Sequence, residues 1–285
     1  MTIEEVYFQE REKLLNSLSR IEELEEYYSK VLLNDILLPI ADKIVKDFTE
    51  SPLELLPFWI NYPPEQRGRA FTGNSIPWLE LGEKAISSNI IKQLATRFTD
   101  LSFPGLPTGG DIRFLTKDVF IHLDIKLTGP NDNPNEVVVP PNQVSGDGKF
   151  WNGKGFTNST FPILRVRNGI LNYNFHPKLP PFYLLGGKPY VCLTFFIDAI
   201  YQVNGFGDHP HESFELSCVP NGLLMFDGPY YSKTPKLFIA GKDDNTKAES
   251  TKRVRIRLNP LASINNWRSV IIHKENGNWN IRYRH

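Results

Sequence analysis

Cysteine is scarce in this chain. Of 285 residues only Cys192 and Cys218 bear a thiol, and both sit inside apolar runs. Such positions argue for buried free thiols rather than a disulfide, and so for a reducing compartment, the cytoplasm. No stretch is long and apolar enough to span a bilayer. The acidic, helical start has the wrong character for a secretory leader. Internal repeats, a zinc ribbon, a phosphate-binding loop and a dinucleotide fingerprint are all missing. Net charge is missing too: 32 basic residues balance 32 acidic ones, which argues against a uniformly basic nucleic-acid binder.

What is present is an ordinary globular composition, 40% apolar and 22% charged, with core enough for one large domain or two small ones. The charge is unevenly spread. Residues 1–50 hold 12 acidic and 6 basic side chains, a net of −6, while residues 231–285 hold 12 basic and 4 acidic, a net of +8. The pattern fits one basic face and one solvating or partner face.

The most informative stretch runs from Asp111 to Asp124-Ile125-Lys126. Residues 119–127 are β-branched and apolar enough for a strand, in which Asp124 and Lys126, two apart, share a face. Pro107-Thr108-Gly109-Gly110 is turn-forming and can fold the Asp111 carboxylate back toward that strand. Two carboxylates around a hard divalent cation, with an ammonium beside them, suit phosphodiester hydrolysis. A strand-edge salt bridge is the plainer reading of the triplet alone.

Helical periodicity covers residues 3–48, where Leu14, Leu18, Ile21, Leu24, Tyr28, Val31 and Leu32 form an apolar stripe suited to an intramolecular core or an intersubunit helix. It resumes over 76–98, with Pro77 in the first turn. Glu80 and Glu83 there face either solvent or the metal site. Residues 140–148 read as a polar loop whose Asn142 and Gln143 suit phosphate or base contacts, or simply loop formation. Strands are expected at 160–167, 189–203 and 213–226, the last broken by a hairpin-like turn at Pro220-Asn221-Gly222. His209 and His211 are expected in an exposed loop. In Lys252-Arg253-Val254-Arg255-Ile256-Arg257-Leu258 strict alternation puts three guanidiniums on one strand face. Such a strand fits the major groove, where Arg reads guanine bidentately and Asp accepts from cytosine; a non-specific basic strand is the alternative.

Several blocks together resemble a known family. Phe58-Trp59-Ile60-Asn61-Tyr62-Pro63-Pro64, Ile76-Pro77-Trp78 with Glu80 and Gly82-Glu83-Lys84-Ala85, and Gly105-Leu106-Pro107-Thr108-Gly109 with Asp111 are similar to the BglI-type restriction endonucleases. So are Asp124-Ile125-Lys126, Pro141-Asn142-Gln143-Val144-Ser145-Gly146, Val219-Pro220-Asn221-Gly222-Leu223, Gly241-Lys242-Asp243-Asp244 and Lys252-Arg253-Val254-Arg255. These blocks are collinear over roughly residues 57–258, and the N-terminal 50 residues and the C-terminal tail resemble the family far less. Gly110 stands where the family has proline.

The resemblance implies a homodimeric, Mg²⁺-dependent type II endonuclease of the PD-(D/E)xK superfamily. It would cut double-stranded DNA at an interrupted palindrome with G·C-rich, GCC-like half-sites and an unread spacer, leaving 5′-phosphate ends. The implied fold is α/β, a mixed β-sheet core flanked by helices with a β-rich DNA-reading extension. A single domain, 1–285, would comprise an N-terminal helical region (1–50), a catalytic core (76–226) and a DNA-reading β region (231–260). By position, Asp111, Asp124 and Lys126 are catalytic, with Glu83 as a possible fourth member. Asp111, Asp124 and the Ile125 carbonyl would hold the metal, and Lys242, Asp244, Arg253, Arg255 and Asp132 would contact bases. Arg257 falls outside the match. A partner methyltransferase would be present in the host without direct contact. Two rivals remain at this point: a sequence-specific DNA-binding protein without cleavage, and a hydrolase using Asp111 and Asp124 as an acid/base pair.

Overall fold

Thr2 begins the first helix with a capping box. Its hydroxyl accepts from the Glu5 N–H at 3.2 Å and the Glu5 carboxylate accepts from the Thr2 N–H at 2.7 Å. In the computed structural model, which describes residues 1–59, 78–106, 108–164, 172–204, 208–241 and 248–284, five longer helices follow one another. They are α1 (Ile3–Leu15), α2 (Leu18–Val31), α3 (Leu38–Val45), α4 (Ser51–Trp59) and α5 (Trp78–Arg97). Wide turns at Leu32–Leu37 and Lys46–Glu50 join α2, α3 and α4 into one helical run. Pro39 explains the first: lacking an N–H, it cannot donate to Asp35, and the freed Asp35 carbonyl accepts from Gln93 Nε2 at 2.9 Å instead. The apolar stripe of α2 goes to the intramolecular core through Ile21, Leu24, Tyr28 and Leu32.

Among the described residues fourteen strands follow in chain order: β1 (Ile112–Leu115), β2 (Val119–Thr128), β3 (Glu136–Val139), β4 (Phe150–Trp151), β5 (Phe156–Thr157), β6 (Phe161–Leu164), β7 (Asn172–Phe175), β8 (Phe182–Leu185), β9 (Lys188–Tyr201), β10 (His211–Val219), β11 (Phe238–Ala240), β12 (Val254–Arg257), β13 (Ser269–Glu275) and β14 (Asn278–Tyr283). The larger sheet runs β1-β2-β9-β10-β13-β14, with β8 also on β9. It is mixed: β2 and β9 are parallel and its other pairs antiparallel. A second sheet runs β3-β12-β11-β6-β7.

Period two decides what each face of the larger sheet meets. Val119, Ile121, Leu123 and Ile125 of β2, with Val191, Leu193, Phe195 and Ile197 of β9, pack against the helices. The alternate residues, His122, Asp124, Lys126 and Thr128 beside Thr194, Phe196 and Asp198, form the opposite face. There Phe196 joins the core of the second sheet, among Val137, Val139, Phe238, Val254 and Ile256. The helices therefore take the apolar face, and the polar residues of β2 are left beside the second sheet.

Three local expectations change. Residues 213–226 are not one broken strand: β10 ends at Val219, and Leu223–Asp227 form a wide helical turn. Asn221 starts it, its Oδ1 accepting from the Leu223 N–H at 2.9 Å. Leu223, Leu224 and Met225 are all buried, so their run shows no period to separate helix from strand. His209 is buried and His211 half-buried, not exposed. Residues 144–148 of the polar loop are buried too, with Asp147 accepting from the Ser159 N–H at 2.8 Å. Cys192 and Cys218 are buried and unpaired as expected. Arg268, one of the twelve C-terminal basic residues, lies inside the protein, paired with Glu25 of α2 at 2.7 Å. No helix among the described residues is long and apolar enough to cross a membrane.

Candidate active site

The β1–β2 ladder ends where Ile112 faces Leu123. One residue earlier, Asp111 extends the pairing with its side chain, its Oδ2 accepting the Ile125 N–H at 2.8 Å. Gly110 makes that approach feasible, because a Cβ there would lie 2.6 Å from the Leu123 carbonyl oxygen. Any residue with a Cβ at this position would force the backbone to shift. Asp111 itself is exposed, whereas Asp124 is 2% exposed. Since a strand residue sends its N–H and C=O to the same edge, the Ile125 carbonyl points to the side on which Asp111 lies.

Lys126 shares a face with Asp124, as the alternation requires, and its Nζ lies 2.5 Å from Asp124 Oδ2. Burial pushes the Asp124 carboxyl up to about 6; Lys126 pulls it back down, and Asp111 adds to the rise. The donors brought together are oxygens alone: two carboxylates and a backbone carbonyl. That set fits a hard divalent cation, and the buried Asp124 Oδ2, which has no hydrogen-bond partner besides the lysine ion pair, is where such an ion would offset the cost of burial.

Glu83 is half-buried in the first turns of α5. Its neighbour Gly82 packs between Phe48 and Leu127 with no room for a Cβ, which seats α5 against the end of β2. The side chain of Glu80 lies outside the described residues.

Lys126 also opens onto a cleft of about 420 Å³, lined among others by Asp132, Glu136, Asp198 and Arg255. Arg255 lies in β12 between Val254 and Ile256, which face inward. Its Nη1 donates to Glu136 at 2.7 Å, across the β3–β12 pairing. Arg253 precedes the same strand, and its carbonyl accepts from the Gly241 N–H at 3.0 Å. Lys242 and Asp244 lie outside the described residues.

Three residues were not singled out for these roles by sequence. Asp198 faces Lys126 across the β2–β9 ladder; its carboxyl is pushed up to about 7 by burial and accepts from Thr128 Oγ1 at 2.8 Å. Its position in an apolar strand was the available signal, since a lone carboxylate there demands a partner. Glu136 had no signal of its own. Gln143 donates through Nε2 to Asp124 Oδ1 and accepts from Lys126 Nζ at 3.1 Å.

A family model, restriction endonuclease BglI, matches residues 2–272. The chain belongs to the BglI restriction endonuclease family. It is 35% identical over 281 residues to the type II restriction enzyme BglI of Bacillus subtilis, covering 90% of this chain and 92% of that enzyme. Its structure is similar to the crystal structure of BglI bound to its DNA recognition sequence, with a TM-score of 0.83 at 34% identity over 95% of this chain and 96% of the other. Tetrameric SfiI bound to cognate DNA shares the fold, with a TM-score of 0.57 at 12% identity over 94% and 95% of the two chains. The match begins at residue 2, so family likeness extends through α1 to α4 and is not confined to residues 57–258. As a BglI-family protein the chain is a type II restriction endonuclease, a site-specific deoxyribonuclease that works with a divalent metal ion.

Proposed function

We propose that this restriction endonuclease cuts both strands of DNA with Mg²⁺ at an interrupted palindrome of G·C-rich, GCC-like half-sites. The observation behind this reading is the meeting of Asp111, Asp124 and Lys126 around the Ile125 backbone, with Lys126 opening onto a cleft that also reaches Arg255. Asp111, Asp124 and the Ile125 carbonyl would hold the ion. When bound, it neutralises the scissile phosphate and lowers the pKa of water. Lys126 orients the attacking water or the phosphate, and in-line attack at phosphorus leaves 5′-phosphate and 3′-hydroxyl ends. Glu83, beside the end of β2, is a further carboxylate for the site.

Arg255 and Arg253, with Lys242 and Asp244, read the half-site in the major groove, and Asp132 at the cleft mouth adds a contact. The inward faces of Val254 and Ile256 leave the arginines pointing away from the core, as groove reading needs. Residues 1–285 act as one endonuclease domain, and two copies form the homodimer that a two-fold symmetric site requires. The host's methyltransferase acts separately.

The test is incubation of the protein with unmethylated phage DNA, with Mg²⁺ or with EDTA, followed by sequencing of the fragment ends. Discrete Mg²⁺-dependent fragments with a common end sequence support the reading. Asp124→Asn should then be inactive; cleavage by that variant would sink the assignment. Binding without any scission would favour a DNA-binding protein in which Asp124 and Lys126 only pair.

A further inference from the structure

We propose that Gln143 is a positioning residue for hydrolysis, holding Asp124 and Lys126 as a pair and retaining the ammonium at the site when a divalent cation takes over the carboxylate. This rests on the assignment of Asp124 and Lys126 made above. Gln143 ends a tight turn, Pro141–Gln143, that follows β3. The turn is pinned: the Gln143 N–H donates to the Pro140 carbonyl at 3.0 Å, Lys178 N–H to Pro141 at 2.9 Å and Leu179 N–H to Val144 at 3.1 Å. Pro141 and Val144 are buried. The amide is thus presented from fixed backbone.

One orientation of that amide satisfies both neighbours. Its NH₂ donates to the carboxylate of Asp124 and its oxygen accepts from the ammonium of Lys126. Lys126 engages Asp124 Oδ2 and Gln143 Oε1 at once. A cation at Asp124 repels the ammonium, and Gln143 Oε1 then remains as its acceptor beside the carboxylate. Lysine is a point charge on a flexible stem, so a competing acceptor matters. Asp198 is that competitor: it faces Lys126 on the next strand, is buried, and its Oδ1 has no hydrogen-bond partner. Without Gln143 the ammonium is drawn toward Asp198 and away from the site of attack.

The experiment uses the full-length protein and DNA bearing its site. Single-turnover cleavage is followed with Mg²⁺, and binding to the same DNA is followed with Ca²⁺. Gln143→Leu should slow cleavage by about 10- to 100-fold, the range for residues that orient metal-site groups, with DNA affinity unchanged. Gln143→Asn, too short to span both partners, should do the same if the leucine variant folds poorly. Adding Asp198→Asn to Gln143→Leu should recover part of the rate, because the competing charge is gone. Cleavage at the wild-type rate by both Gln143 variants, or no recovery in the double variant, overturns the proposal. Neither result touches the endonuclease assignment, which stands or falls on wild-type cleavage and on Asp124→Asn.

Discussion

Asp111 and Ile125 are joined by a hydrogen bond from the backbone N–H of one to the side-chain oxygen of the other, at 2.8 Å. The contact continues a β-ladder by side chain where the backbone partner has run out, and it fixes one carboxylate beside the strand that bears the other. Asparagine can accept the same N–H but has no charge to offer a cation. Asp111→Asn should therefore keep its thermal stability within about 0.5 kcal/mol of wild type. Its cleavage rate should fall by more than the roughly 100-fold at which substitutions outside the ligand shell stop. Thermal unfolding and single-turnover cleavage separate the two effects, and an active variant would exclude Asp111 as a ligand.

Burial pushes the Asp124 carboxyl up to about 6, so a proton and a divalent cation compete for it near neutral pH. The cation needs the ionised form, which means its affinity weakens as pH falls through about 6. Calorimetric titration of the protein with Mg²⁺ should show proton release near pH 6 and none above about pH 8. The stability sign is the reverse. A carboxylic acid with a raised folded pKa binds its proton more tightly when folded, so ionising Asp124 and Asp198, the latter pushed up to about 7, costs stability as pH climbs from about 4 to 7. Relative to wild type, the metal-free Asp198→Asn protein should gain on the order of 4 kcal/mol between pH 4 and pH 8, the stability that a carboxyl raised from its ordinary value to about 7 loses on ionising. A variant with an unchanged pH–stability profile would refute this.

The parts legible in the sequence were those with a period or a motif. β-Branched and apolar residues located β2, and alternation put Asp124 and Lys126 on one of its faces; in the arginine strand β12, burial on one side only leaves a mark every second residue. The α2 stripe went to the core for the same reason. The Leu223–Asp227 turn was misread because its apolar residues are buried all round. Gln143 was visible as a residue but not as a partner: its reach to Asp124 depends on how the Pro141–Gln143 turn lies over β2. Glu136 and Asp198 were hidden likewise, since each meets its partner only through sheet register.

The Glu25–Arg268 pair belongs to the same hidden class. Both side chains are fully buried, and Glu25 Oε1 also accepts the Asn221 N–H at 2.5 Å. Removing one partner leaves an uncompensated charge in the core, so Glu25→Gln or Arg268→Leu should each cost about 3–5 kcal/mol in chemical denaturation. Replacing both residues with leucine should cost less than either single change. A double variant as unstable as the sum would show that the pair contributes more than mutual neutralisation.

Arg255 offers the sharpest check on specificity, because Glu136 already holds its guanidinium at 2.7 Å in a part-buried cleft. Ordering a long side chain before DNA arrives lowers the entropic cost of binding. Arg255→Ala should lose about 1–3 kcal/mol of binding to the cognate half-site if the contact is bidentate to guanine, and Arg253→Ala should do likewise. Glu136→Gln should act differently. On the proposed reading it removes a negative charge beside the DNA, which should strengthen non-specific binding at low salt, and it loosens the hold on Arg255, which should weaken cognate binding. The ratio of cognate to non-specific affinity should therefore shrink. Equal ratios for wild type and Glu136→Gln, measured across a salt series, would reduce the ion pair to a structural contact and leave Arg255 to orient itself on the DNA.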